Sequence, residues 1–421
     1  MGKSAYSMRQ YETAKQHFES CLKISKQNQE AMFELNKTKL RINESTKGEY
    51  DLESLSKEVF ARVFERKTLN FDLADFKSNK ISVVDIPNKS KGIIANEYIK
   101  KGTLLCASKA LSAVFKYTNS GGLEATHVFD DLVSRMKNDP FLSKQVYSLL
   151  PGPGFSRDDR IDEESIDHRR IFGICNTNVF KINLKQFNFN IVSQFFNSPD
   201  NLTHQVAGLW YIPSFLNHSC IANASMDFLG DMFFLFARED IAKNEEITIN
   251  YMGCNKTILY SGRIECLKDY HFKCDCRLCC LDEKDEKLNE RNALIQELHE
   301  KNSNFVSISL KKVLEDVKLM EKTYSKRPDL QLGMVIALQN LACKYRHDNE
   351  WKKSAETWER IYMVAKETLE RPFLIFVLHS AYCDYAKCFE RKLSLSCKKK
   401  AAEFYEERHK RYFEMIWSEF D

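Results

Sequence analysis

A C-x-C-x-x-C array, Cys274, Cys276 and Cys279 with Cys280 directly behind it, constrains this chain more than any other feature. Thiolates at this spacing suit a tetrahedral structural Zn2+, and a closed site of that kind takes four ligands. Cys280 is available as the fourth, but two adjacent residues rarely turn both thiols onto one ion. A reduced, cysteine-rich turn without metal is the plain alternative. The chain has 14 cysteines, and its start, Met1-Gly2-Lys3-Ser4, lacks the apolar stretch of a signal peptide. Reduced thiols, buried or bound to metal, are therefore expected rather than a disulfide framework. Cys21, Cys106, Cys343, Cys383 and Cys388 sit among apolar neighbours and read as core filler.

The length of 421 residues allows two or three domains at ~150 residues each. Hydrophobic residues make up 43%, enough for a packed core, while apolar runs such as Met232 to Phe236 fall far short of the ~20 residues that span a bilayer. No membrane role follows. The net charge of +4 is a small difference between 63 basic and 59 acidic residues, which argues against direct nucleic-acid binding. Lys398-Lys399-Lys400 reads as a solvated helix face, with phosphate contact or nuclear import as the alternative. A nuclear or cytoplasmic location, neither secreted nor membrane-bound, is expected.

The hydrophobic period changes along the chain. Tyr11, Ala14, Phe18, Cys21 and Leu22, then Ala31, Leu35 and Leu40, recur at helical spacing, and Leu52, Leu55, Val59 and Phe60 mark another helix. Short β-rich runs follow at Ile81–Ile86 and Gly102–Cys106. Helical signals dominate from about Thr118 to Asp200, broken by Pro151-Gly152-Pro153-Gly154, and β-rich runs resume near Ala224 and end at Tyr251. Beyond the cysteines, Asp282 to Glu290 reads as a charged linker, and the remainder is helical, built on Ala337, Leu338, Leu341, Ala342 and Tyr345, then Ala355, Trp358, Ile361 and Tyr362, then Ala381, Tyr385 and Ala386. Both helical ends look tetratricopeptide-like; a single such unit cannot bury its own apolar face and must pack on something else.

Upstream of the cysteines lies Ser214-Phe-Leu-Asn217-His218-Ser219-Cys220-x-x-Asn223, and between the two comes the strand Ile247-Thr-Ile-Asn-Tyr251. Each piece alone is weak. In this order they resemble the catalytic half of SET-domain lysine methyltransferases of the SMYD kind. Lys89-Ser90-Lys91-Gly92-Ile93-Ile94-Ala95 resembles the opening hairpin, G-x-G-x-x-A, with Ser90 at the first glycine. The resemblance covers roughly 81–280. No cysteine stands between Ala110 and Asp130, so the MYND finger of SMYD proteins is missing; the helical start is instead similar to tetratricopeptide–SET proteins.

The resemblance implies an α+β fold: a split SET β-core with pseudoknot and helical insert, a cysteine-rich zinc site after it, and α-helical, tetratricopeptide-like N- and C-terminal regions. The expected boundaries are 1–75 helical, 78–255 SET with its insert at about 118–200, 256–281 zinc-binding, and 286–421 helical. It also implies a fourth zinc ligand, Cys220, beside Cys274, Cys276 and Cys279. Tyr251 matches the active-site tyrosine. Lys89, Lys91, Gly92, Asn178, Asn217, the backbone around His218, and Phe272 match positions that contact S-adenosylmethionine. Phe180 and Tyr270 match the aromatic walls of the lysine channel.

The chemistry suits such residues. Methyl transfer from a sulfonium to an amine is an in-line displacement that depends on alignment and on a polar rim around the moving charge. Aromatic walls favour ammonium and methylammonium. The implied function is transfer of a methyl group to the ε-amine of a lysine in a protein substrate, histone or non-histone, with helical C-terminal surfaces open to peptide partners. The competing reading is a degenerate SET platform acting as an adaptor, motivated by departures at Ser90, Ala222, Asn244 and Met252.

Overall fold

The computed structural model describes residues 1–65, 67–87, 89–116, 124–155, 166–183, 205–252, 259–268, 270–302, 308–369, 371–404 and 410–418. Four helices come first: α1 (Gly2–Ser7), α2 (Tyr11–Ile24), α3 (Gln29–Lys47) and α4 (Leu52–Phe64). The Asn28 side chain accepts the Ala31 amide at 2.9 Å to start α3, and Gly48, at φ +64°, ends it. Ala14, Phe18 and Leu35 form a small core between α2 and α3. Leu40 does not join it and is 58% exposed. The helical period puts Thr38, Arg41 and Glu44 on the inward face instead. Arg41 pairs with Glu44, whose other oxygen accepts the Ala74 amide at 2.8 Å, and so fastens the helices to the sheet region.

Two sheets carry the centre. The six-stranded one runs β5 (Phe180–Asn183), β6 (Gln205–Trp210), β4 (Leu104–Lys116), β9 (Met232–Ala237), β8 (Ala224–Leu229), with β1 (Phe76–Lys77) also on β4. Every residue of β9 is buried, as its unbroken apolar run requires. At the β8–β9 turn Asp231 holds three elements: its carboxylate accepts the Phe71 amide at 3.0 Å and pairs with Lys109 at 2.6 Å, and its carbonyl accepts Trp210 Nε1 at 3.0 Å. The second sheet runs β2 (Ile81–Ile86), β3 (Ser90–Ala95), β10 (Glu246–Ile249), β7 (Asn217–His218). Its last pair is parallel, Thr248 opposite Asn217 and Ile249 opposite His218, so the Asn-His segment threads beside the strand that leads to Tyr251.

Within the expected insert the described residues hold helices α5 (Ala125–Met136), α6 (Pro140–Tyr147) and α7 (His168–Asn178), and the chain turns to strand at Phe180; 117–123, 156–165 and 184–204 lie outside the described residues. Strand structure also resumes at Gln205, well before Ala224, because β6 must close onto β4.

After the sheets come α8 (Tyr260–Lys268), α9 (Arg277–Glu283), α10 (Leu288–Asn302), α11 (Leu310–Thr323), α12 (Met334–His347), α13 (Trp351–Ala365), α14 (Arg371–Lys387), α15 (Arg391–Ala402) and α16 (Lys410–Ser418). From α11 to α15 each helix packs on its sequence neighbour, and α16 returns to α4. The charged stretch after the cysteines is mostly exposed, but two of its carboxylates turn inward: the buried Asp282 pairs with Arg263 and Arg327, and the half-buried Asp285 with Arg327 at 3.1 Å and Arg291 at 2.9 Å. Charge in the primary structure reads as solvent-facing by default, and only distant arginines reveal otherwise. The helical region is bolted to β8 and β9 as well: Arg371 pairs with Asp227 and lies 4.8 Å over the Phe236 ring. Among the described residues no helix is long and apolar enough to cross a membrane.

Candidate active site and cysteine centre

The four implied metal ligands converge. The Sγ atoms of Cys220, Cys274, Cys276 and Cys279 all lie within 4.8 Å of one another, Cys220 being 3.9 Å from Cys274 and 3.5 Å from Cys279. Zn–S bonds of about 2.3 Å in a tetrahedron set sulfurs about 3.8 Å apart, so the donor set fits such an ion in number, type and spacing. The local cause is simple. Cys276 occupies the N-cap of α9, and Cys279 follows one helical turn on, which returns its thiol to the same side. Cys280 turns away and donates to the Asp275 carbonyl at 3.2 Å, which removes it from the choice of ligands. Shared hydrogen bonds, with Cys220 foremost, hold the Cys274 and Cys276 thiols below the ordinary range, Cys276 at about 7, while Cys274, Cys276 and Cys279 push Cys220 up. The fully buried Arg263 stands by; burial opposes its charge, and Asp282 with the Cys279 thiol more than offsets this. Of the cysteines read as core filler, Cys106 is buried, whereas Cys21, Cys343, Cys383 and Cys388 are half-buried.

His218 links the thiols to the tyrosine. Its Nδ1 accepts the Tyr251 amide at 3.0 Å, so Nε2 carries the hydrogen and points at Cys220 Sγ, 3.3 Å away. Both ring nitrogens are thus occupied within the chain, leaving only the backbone of His218 for a ligand. The Tyr251 hydroxyl donates to the Leu216 carbonyl at 2.5 Å. Its ring lies 4.9 Å from Tyr270, 5.2 Å from His218 and 6.4 Å from Phe272. Burial first, then Tyr270 and Glu246, push the Tyr251 phenol well above the ordinary tyrosine range. The sequence offers no sign of the His218 ring's role or of the Leu216 carbonyl.

The opening hairpin meets the same place. Asn217 Nδ2 donates to the Lys91 carbonyl at 3.0 Å and to Glu246 Oε1 at 2.7 Å. Gly92 lies beneath: a Cβ there would stand 2.6 Å from Ile86, 2.8 Å from Asn217 Nδ2 and 3.1 Å from Glu246 Oε1. Ser90 has φ +72°, the left-handed conformation that explains a glycine at this position in the resembling hairpins. Lys89 pairs with Glu246 at 2.8 Å, so its charge is partly spent inside the chain. Lys91 is exposed, its ammonium 5.9 Å from the Phe215 ring. Asn223 clamps β10, donating to the Glu246 carbonyl and accepting the Thr248 amide, each at 2.9 Å.

Two expected contacts are not brought together with these. The Asn178 side chain is buried and donates to the Leu150 and Ile174 carbonyls, both at 2.8 Å, because it caps the end of its own helix. Phe180 sits among Trp210, Phe228 and Phe233 at 5.8, 6.1 and 5.8 Å, and these aromatic contacts, rather than Tyr251 or Tyr270, surround its ring.

The family model for the SET domain matches residues 90–252, which spans the hairpin, the threaded Asn-His segment and Tyr251. Residues 90–252 form a SET domain. A protein of Gibberella zeae named methyltransferase is 21% identical over 79% of this chain and 48% of its own length. Over shorter stretches, the histone-lysine N-methyltransferase SMYD3 of Homo sapiens is 42% identical, covering 18% of each chain, and the protein-lysine N-trimethyltransferase SMYD5 of Gallus gallus is 36% identical, covering 20% of each. The chain therefore spans about half or less of the length of these relatives. A crystal structure of the SET domain of LSMT bound to lysine and AdoHcy aligns over 88% of this chain and 92% of that one, at 11% identity and a TM-score of 0.25, too loose a superposition to add weight.

Proposed function

We propose that this chain is a protein-lysine methyltransferase that uses S-adenosylmethionine and holds a structural Zn2+ at Cys220, Cys274, Cys276 and Cys279. The observation that carries the reading is the convergence of Tyr251, Tyr270 and Phe272 where the threaded Asn217-His218 segment meets β10. S-adenosylmethionine supplies a methyl group on a cationic sulfur, which an amine can attack. The chain's residues do the remaining work. Tyr251, its hydroxyl pinned to the Leu216 carbonyl and its phenol kept neutral by burial, offers a fixed polar rim beside that carbonyl. Tyr270 and Phe272, both partly exposed, wall an apolar approach whose desolvation favours a neutral target lysine. Lys91, Gly92, Asn217 and the His218 backbone would hold the cofactor.

The proposed layout keeps a helical, tetratricopeptide-like segment before the SET domain, a zinc-binding segment after it, and a helical tetratricopeptide-like region that offers surfaces to peptide partners. Nucleus and cytoplasm both suit this reading. The adaptor alternative loses support from Ser90 and Asn244, whose left-handed φ of +72° and +67° keeps the backbone course of those turns. The test is methyl transfer from labelled cofactor to a protein mixture. Tyr251→Phe is expected to lower the rate by roughly 100- to 1000-fold with cofactor affinity unchanged. Equal rates for parent and variant would remove Tyr251 from the reaction.

A further inference from the structure

We propose that Glu246 fixes the polarity of Asn217 and thereby selects a ligand whose head group carries an ammonium; this rests on the cofactor reading above. A side-chain amide has one acceptor and two N–H donors, and which end faces a ligand depends on what holds the other. Here both N–H groups are taken, one by the Lys91 carbonyl at 3.0 Å and one by Glu246 Oε1 at 2.7 Å. Turning the amide over would set its oxygen against two oxygen acceptors, so the orientation is dictated by chemistry. The consequence is that Asn217 can present only Oδ1, an acceptor, and this atom makes no hydrogen bond among the described residues.

Glu246 is well built for that task. It lies on β10 directly across from Ile94 of β3, while Asn217 comes from β7 on the other side, so one carboxylate spans the strands that bound the site. Its backbone carbonyl accepts the Asn223 amide at 2.9 Å, and its second oxygen takes the Lys89 ammonium at 2.8 Å. Gly92 leaves the space through which the carboxylate and the amide meet. The Lys89 charge is engaged by Glu246, whereas Lys91 has no carboxylate partner among the described residues. An unpaired acceptor at Asn217 matches the ammonium of an α-amino acid head group.

The test compares binding of S-adenosylhomocysteine and of its analogue lacking the α-amino group, by calorimetry on the full chain. A hydrogen bond from a charged group implies that the parent prefers the amino compound by about 10- to 100-fold. In Glu246→Ala the preference is expected to fall to about threefold or less, with affinity for the amino-less analogue little changed. Glu246→Gln keeps an oxygen for the Asn217 N–H and is expected to keep most of the preference. A Glu246→Ala chain that weakens both compounds equally, or retains the full preference, overturns the role given to Glu246 alone. A parent that binds neither compound overturns the cofactor reading, and this inference with it.

Discussion

Replacing Cys220 by serine removes the thiol that joins the threaded segment to the loop carrying Cys274, 54 residues further on. The proposed metal bridge would close a loop of that length, and the chain-entropy relation for cross-links gives about 4 kcal/mol for a closure of this size. Such a tie would restrain α8 and α9 against β7 in the folded protein. The buried network of Arg263, Asp282 and Arg327 remains in Cys220→Ser, so the segment should loosen rather than leave. Expressed as local opening, about 4 kcal/mol is roughly a thousandfold faster amide exchange in 259–283, with β8 and β9 unchanged. Hydrogen exchange with mass spectrometry reads this directly, and metal analysis should fall from one zinc per chain towards none. Cys280→Ser is the control and should change neither, because that thiol points to the Asp275 carbonyl. A Cys220→Ser chain that keeps its zinc and its protection would refute the argument.

Gly92→Ala should cost about 1–3 kcal/mol through overpacking against Ile86 and lower S-adenosylhomocysteine affinity at least tenfold by displacing Asn217, as calorimetry and thermal melting would report. Arg371→Met leaves Asp227 charged and buried, so urea unfolding should show a loss of about 3–5 kcal/mol, most of it recovered in Arg371→Met with Asp227→Leu. Burial raises the Tyr251 and Tyr50 phenols, so neither loses its proton in the folded chain near pH 10. Methyl transfer should therefore show no falling limb from Tyr251 up to about pH 10. Unfolded tyrosines do ionise there, so stability should decline as pH rises past about 10, measured by unfolding at stepped pH.

Spacing and residue type carried much of this protein's identity into the primary structure. The C-x-C-x-x-C array, the Asn-His-Ser-Cys segment and the strand ending in Tyr251 are local patterns, and local patterns survive in a linear reading because helical turns and strand alternation place nearby residues predictably. The helices α2, α4, α12 and α13 were legible for the same reason. Leu40 leaves the inward face because the five-residue step from Leu35 turns it about 140° around the helix, and nothing near Asp282 in sequence announces Arg263 or Arg327. Folding alone decided that the His218 ring joins Cys220 to the Tyr251 amide, that Cys280 faces away, that Asn178 and Phe180 serve the insert and the core, and that Glu246 meets Asn217 across β10. For His218 and Glu246 the deciding fact is where a donor or ring from a distant segment comes to rest, and that position is set by the parallel threading of β7 beside β10.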